Sequence, residues 1–110
     1  MRSRMEIDID ILRGRCNDRA IKWTEHIALR MLKRQISRRQ VIAVIQSGEI
    51  IEQYPDDTPY PSCLVLGHDA DGRPLHVVCG SAPDSIWMIT AHYPDLSEWE
   101  DDLRTRRAVK

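Results

Sequence analysis

His26, Arg30 and Arg34 follow one another at i, i+4 and i+8. On a helix that spacing places them along one gently drifting line. An imidazole beside two guanidiniums suits phosphodiester chemistry: the arginines hold the phosphate and the histidine moves a proton. Lys33 adds a further cation to the same segment. A second group of candidates lies in strand-like stretches downstream. His76 shares a face with Val78 and Gly80, Thr90 shares one with His92 while Tyr93 points the other way, and Tyr54 ends an earlier stretch. If the basic helix packs over that sheet, His76, Thr90 or Tyr54 converges on His26 and Arg30. His76 is then the second proton carrier or an orienting group. Each candidate also has a plainer reading: the cations as a solvated helix surface, His76 as a hydrogen-bonded core histidine.

Other chemistries find less support. Cys16, Cys63 and Cys79 are odd in number and lack C-x-x-C spacing, which argues against a disulfide framework and a cysteine-rich zinc site. The pair His68 and His76 has no recurring zinc-ligand spacing. Asp69-Ala70-Asp71-Gly72 resembles the start of a calcium loop, but the twelfth position, where a bidentate Glu belongs, is Gly80; the segment reads as a β-turn. No glycine-rich phosphate loop, G-x-S-x-G elbow or H-E-x-x-H is present. No metal and no cofactor are expected, and Cys63 and Cys79 read as small core residues.

The elements that must position these residues are legible in part. Thr24 is an N-cap, with Glu25 in the first turn and Ile27, Ala28, Met31 and Leu32 as the apolar stripe of a helix ending near Gln35. Ser37-x-x-Gln40 is a capping box for a second such helix, with Val41, Ile42, Val44 and Ile45 buried and Gly48 closing it. Upstream, Ile7, Ile9, Ile11 and Leu12 give a mixed signal that favours a helix from Ile7 to about Asp18, fraying around Gly14. Residues 20–23 read as an extended connector. After Gly48 the pattern turns to strands: 49–54, 62–68, 75–81 and 86–93, separated by a proline-bearing loop at 55–61 and by turns at Asp69–Gly72 and Pro83-Asp84. Short links favour an antiparallel meander. Leu96 to Leu103 reads as a short acidic helix, and 104–110 as a flexible basic tail.

With 110 residues, 42% hydrophobic and 30% charged, the chain is one folded domain over 1–110 rather than a disordered segment. No apolar run approaches the length of a membrane span, and the opening residues lead into no signal-type hydrophobic region, so a cytoplasmic protein is expected. The net charge of −1 hides an asymmetry: residues 1–40 carry 11 Lys and Arg against 5 Asp and Glu, and residues 41–110 carry 5 against 12. A generic polyanion binder is excluded, but a local basic face on the N-terminal half is not.

The order of features is more specific than any one motif. Trp23-Thr24-Glu25-His26-x-x-x-Arg30-Met31 is followed by Ile36-Ser37-Arg38-x-x-Val41, then by Gly48-Glu49-Ile50-Ile51-Glu52-x-Tyr54-Pro55-Asp56-Asp57. Pro59-Tyr60-Pro61-Ser62-Cys63-Leu64-Val65-Leu66-Gly67, Arg73-Pro74-Leu75-His76-Val77-Val78 and Ile89-Thr90-Ala91-His92-Tyr93-Pro94-x-x-x-x-Trp99 complete the series. Across residues 20–100 this resembles the bacterial domain-of-unknown-function family called forty-two fifty-eight. More distantly it is similar to the BrnT toxins and RelE-like ribonuclease toxins. In the BrnT-like pattern Lys-x-x-x-Asn stands where this chain has His26-x-x-x-Arg30, and Ile-Ser-Ala-Arg where it has Ile89-Thr90-Ala91-His92.

The resemblance implies an α+β fold with N-terminal helices on one face of a four-stranded antiparallel sheet, followed by the short C-terminal helix. It also implies a metal-independent endoribonuclease toxin acting on mRNA, paired with an antitoxin of the zinc-finger or DNA-binding type. In that reading His26, Arg30 and His76 are catalytic, and Arg30, Arg34, Lys33, Thr90 and Tyr54 bind RNA or phosphate. A homodimer is allowed and a membrane is not involved. The alternative is a non-catalytic protein-interaction or regulatory module that keeps the fold, its acidic 95–102 segment suiting a basic partner.

Overall fold

The computed structural model describes residues 6–108. Its elements run α1 (Ile9–Asn17), β1 (Ile21–Trp23), α2 (Glu25–Arg34), α3 (Arg38–Ser47), β2 (Glu49–Tyr54), β3 (Ser62–His68), β4 (Pro74–Ser81) and β5 (Ile86–His92). The caps explain the helix starts. The Thr24 hydroxyl accepts from the Ile27 amide at 3.2 Å, and Ser37 and Gln40 form a reciprocal capping box. Arg13 closes the far end of α3, donating to the carbonyls of Ile45 and Gly48 at 3.1 and 2.8 Å.

The sheet differs from the four antiparallel strands expected. It has five strands in the order β1-β5-β4-β3-β2 and is mixed. β2 to β5 pair antiparallel in chain order, while residues 21–23 form a strand parallel to β5, with Ile21 opposite Ile86 and Trp23 opposite Met88. Three residues are too few to show an alternation, which is why the sequence there looks like a connector. After β1 at one edge the chain passes through α2 and α3 to reach β2 at the other. α2 packs on β5, and α3 on β3 and β4.

Strand parity sends alternate side chains to two faces. Cys63, Val65, Leu75, Val77, Cys79 and Met88 join Leu12, Ile27, Met31, Val41, Val44 and Ile45 in one core beneath the helices. At Gly67 the helix rests directly on the strand: a Cβ there would lie 2.7 Å from the Val44 carbonyl oxygen and 2.9 Å from its Cα. The opposite face meets the C-terminal segment.

That segment is a second difference. Residues 96–103 form turns, not a helix. Asp95 Oδ1 accepts from the Ser97 amide at 2.8 Å, and Asp102 Oδ1 from the Arg104 and Thr105 amides, both at 3.0 Å. These side-chain bonds replace helical ones, and Leu103 takes a left-handed φ of 61°. Nor does the described part of the basic tail hang free. Arg104 reaches Glu49 at 3.0 Å, Arg106 reaches Glu52 at 2.8 Å, and Trp99 and Arg106 form an isolated antiparallel bridge. Residues 95–107 thus make a strap across the sheet; 109 and 110 lie outside the described residues. Among the described residues no helix is long and apolar enough to cross a membrane.

Candidate functional site

The strap face gathers polar side chains from three strands. β2 contributes Glu52 and Tyr54, which pair with Leu64 and Ser62 of β3; β4 contributes His76; β5 contributes Thr90 and His92. His76 and His92 are cross-strand partners, with ring centroids 5.3 Å apart at an edge-on angle. Above them the buried Trp99 stands edge-on to His76 at 4.6 Å, and Arg106 lies 4.5 Å over the Trp99 ring. Arg106 also grips Glu52 with two nitrogens, at 2.8 and 3.1 Å, and Tyr54 Oη donates to Glu52 Oε1 at 2.5 Å.

The charges settle accordingly. Burial works against the Glu52 carboxylate, but the hydrogen bonds from Arg106 and Tyr54 outweigh it and lower its pKa. Burial, and then the bond to that carboxylate, pushes Tyr54 up to about 12. His76 is fully buried; its Nε2 lies 2.8 Å from the Leu103 carbonyl oxygen, and its Nδ1 has no hydrogen-bond partner. Desolvation holds it below the usual imidazole range. His92 is half-buried and pushed down to about 4, by burial first and then by His76, Arg34 and Arg106. Both rings are neutral at pH 7.

Arg34 comes to this cluster from α2. Beyond β1 the last residues of β5 have a free edge, and α2 fills it: Thr24 donates to the Met88 and Ile89 carbonyls at 3.2 and 3.3 Å, and Arg34 Nη1 to the Ala91 carbonyl at 2.6 Å. Arg30, one turn earlier, is half-buried. At the other end of β5, near its start, half-exposed Trp87 meets Tyr60 edge-on at 5.5 Å.

The expected residues therefore divide. Thr90, Tyr54 and His76 belong to one face, and Arg34 reaches its edge from α2 at the Ala91 carbonyl, with Arg30 one turn earlier on that helix. His26 and Lys33 do not: both are exposed on α2, whose buried residues Ile27 and Met31 enter the core on the other side of the sheet. The pairing of His26 with His76 as two proton carriers on one phosphate fails for that reason, and because the strap seals His76. The histidine that His76 meets is His92. Strand parity already put His92 beside Thr90, whereas Glu52, Trp99 and Arg106 carried no local signal: Glu52 and Arg106 are 54 residues apart in sequence. Among the described residues no three His, Cys, Asp or Glu side chains are grouped so as to hold a metal ion. Two thiols are poor nucleophiles: burial raises Cys16 to about 11, and the bond to Cys63, then burial, raises Cys79 well above the usual thiol range.

The arrangement offers a neutral imidazole, a guanidinium and a hydroxyl at the end of a strand whose start carries half-exposed aromatic rings. No curated protein and no solved structure matches the chain. Residues 23–93, from the end of β1 to just past β5, match the family described as Domain of unknown function (DUF4258), and the chain belongs to that family.

Proposed function

We propose that the protein is a toxin-like, metal-independent endoribonuclease whose working surface is the strap face of the sheet at the end of β5. The observation that carries this reading is the grouping of His92, Thr90 and Arg34 at the end of β5, a strand whose start carries the half-exposed Trp87 and, against it, Tyr60. Aromatic rings and guanidiniums on a sheet suit unpaired bases and phosphates. The resemblance of the sequence pattern to the BrnT and RelE-like toxins points the same way.

In the reaction a ribose 2′-hydroxyl attacks the adjacent phosphorus. Its proton passes to His92, the bond from phosphorus to the 5′-oxygen breaks, and that oxygen takes a proton from the imidazolium or from water. The products are a 2′,3′-cyclic phosphate and a 5′-hydroxyl end. Arg34, with Arg30 behind it, holds the charge that builds on the phosphate oxygens. Burial first, and then His76 and the neighbouring guanidiniums, keep the imidazole unprotonated, and a bound phosphate offsets the guanidiniums' share and raises its basicity. His76 touches no substrate; it orients His92 from below.

The test is cleavage of a single-stranded RNA in the presence of a chelator, with the product ends identified. His92→Gln or Arg34→Ala should slow cleavage by about 100-fold or more, while His26→Ala and Lys33→Ala stay near wild type. Replacing Arg30 and Arg34 together should flatten the dependence of log affinity on log salt by about 1 to 2 units. The same contrast should appear in a bacterial host, where induced wild type slows growth and folded His92→Gln does not.

One observation favours the second reading, a non-catalytic interaction module. The strap buries His76 and ties Glu52 to Arg106, so part of the polar face is committed to holding the fold. In that case wild type and His92→Gln behave alike in every assay above.

A further inference from the structure

α2 has two unlike flanks. Arg30 and Arg34 run down the side facing the end of β5. Ala28, Leu32 and Gln35 run down the other and, with Trp23, Met31 and Ile36, border a groove of about 540 Å³. Leu29 and Leu32, one turn apart, are 60% and 78% exposed, so neither serves the core. An open leucine pair beside a groove is the kind of patch that a monomer seldom leaves without a use. Around it the charge is one-sided. From residue 25 to 40 the cations Arg30, Lys33, Arg34, Arg38 and Arg39 face a single carboxylate, Glu25, at the start of the helix.

We propose that this groove docks an acidic amphipathic helix from a partner protein. The groove runs from Trp23 and Ala28 to Gln35 and Ile36, two turns of α2, which matches apolar anchors at i, i+3 or i+4, and i+7 on an incoming helix. The partner's carboxylates would fall on Lys33, Arg38 and Arg39, giving the docked pair its orientation and its salt dependence. RNA suits the groove poorly, because its walls are aliphatic and the Trp23 ring already carries the Arg38 guanidinium at 5.0 Å. A second copy of this chain suits it less well too. Its acidic stretch around Leu96 is not helical, and Arg107 engages Glu100 and Asp101 there at 2.9 and 3.6 Å. The proposal is independent of the ribonuclease reading, since the Arg34 flank stays open when the Leu32 flank is filled.

The probe is a synthetic helical peptide of about 15 residues with leucines on one face and glutamates beside them, compared with its lysine counterpart. It is titrated into isotope-labelled full-length protein and followed by NMR. The glutamate peptide should shift the Trp23 indole and the amides of Ala28, Leu32, Ile36 and Arg38. Leu32→Glu should weaken binding by tenfold or more and Arg38→Glu several-fold, with the signals of β3 and β4 unmoved in both variants as proof of folding. Four results overturn the proposal: no shifts up to about 1 mM peptide, equal binding of the lysine peptide, the same groove shifted by single-stranded RNA, or a dimer in sedimentation that Leu32→Glu abolishes.

Discussion

The two faces of the sheet are built on opposite terms. Under the helices the buried positions are apolar, the packing reaches backbone contact at Gly67, and two thiols are raised, Cys16 by burial and Cys79 by its bond to Cys63 and then by burial. Under the strap the positions alternate with Glu52, Tyr54, His76, Thr90 and His92, and a non-helical segment supplies the cover. One close-packed face is enough to hold a domain of this size. Polar side chains on the other face cost desolvation and return little, because a partly exposed ion pair contributes about 0–1 kcal/mol. Under the proposed function, the groups that the strap leaves half-exposed, Thr90 and His92, are there to act on a substrate.

The largest effect should come from the close approach on the helix face. Gly67→Ala drives a methyl group into the Val44 backbone, and a clash of backbone with strand has no rotamer to relieve it. We expect a loss of about 4 kcal/mol, above the usual overpacking range, measured by denaturant unfolding. A neutral result would show that α3 does not rest on β3 as described. Trp99→Ala probes the other face. The ring is 2% exposed, yet the strap around it can relax, so the expected loss is about 3 kcal/mol, at the low end for a buried tryptophan. Its sharper readout is the loss of protection at His76, whose ring it covers.

These two faces were not equally readable in the sequence. Thr24, Ser37 and Gln40 announce the helix starts through local bonds, and the apolar stripes that follow them identify the buried sides of α2 and α3. The meander follows from short turns. What escaped was non-local or too short. β1 has three residues and gains its strand character from β5. The strap looks like an acidic helix by composition, but Asp95 and Asp102 turn their carboxylates back onto nearby amides and stop it. His76 was correctly placed in a strand beside Val78, yet its parity could not say which face the helices would take. Hence the pairing with His26 failed, while Thr90, His92 and Tyr54 remained together.

Acid should weaken the strap face before the helix face. An unfolded imidazole titrates near 6.5 and folded His92 at about 4, so between those values the unfolded chain binds the extra proton. Its contribution is full above pH 6.5 and is lost as the pH falls to 4. The melting temperature should therefore drop across that window, and drop less in His92→Gln. Glu52, whose pKa is lowered, adds its own loss as the pH falls below the ordinary carboxylate value of 4.5. An equal fall in both proteins would separate His92 from the cluster. The smallest expected effect is that of Arg106→Ala, at most about 1 kcal/mol because the guanidinium is largely exposed. It should shrink further in high salt. A much larger loss would mean that the strap, and not the helices, is what holds the sheet.

The most direct test of the central claim is an NMR titration of the labelled protein with a short single-stranded RNA whose reactive 2′-hydroxyls are replaced by hydrogen, so that it binds without being cut. The account predicts shifts at Thr90, His92, the Trp87 indole and the Arg34 guanidinium, weakened in Arg34→Ala and with salt, while His26 and the Leu32 groove stay unmoved. Shifts confined to the exposed side of α2, or none up to about 1 mM RNA, would contradict it.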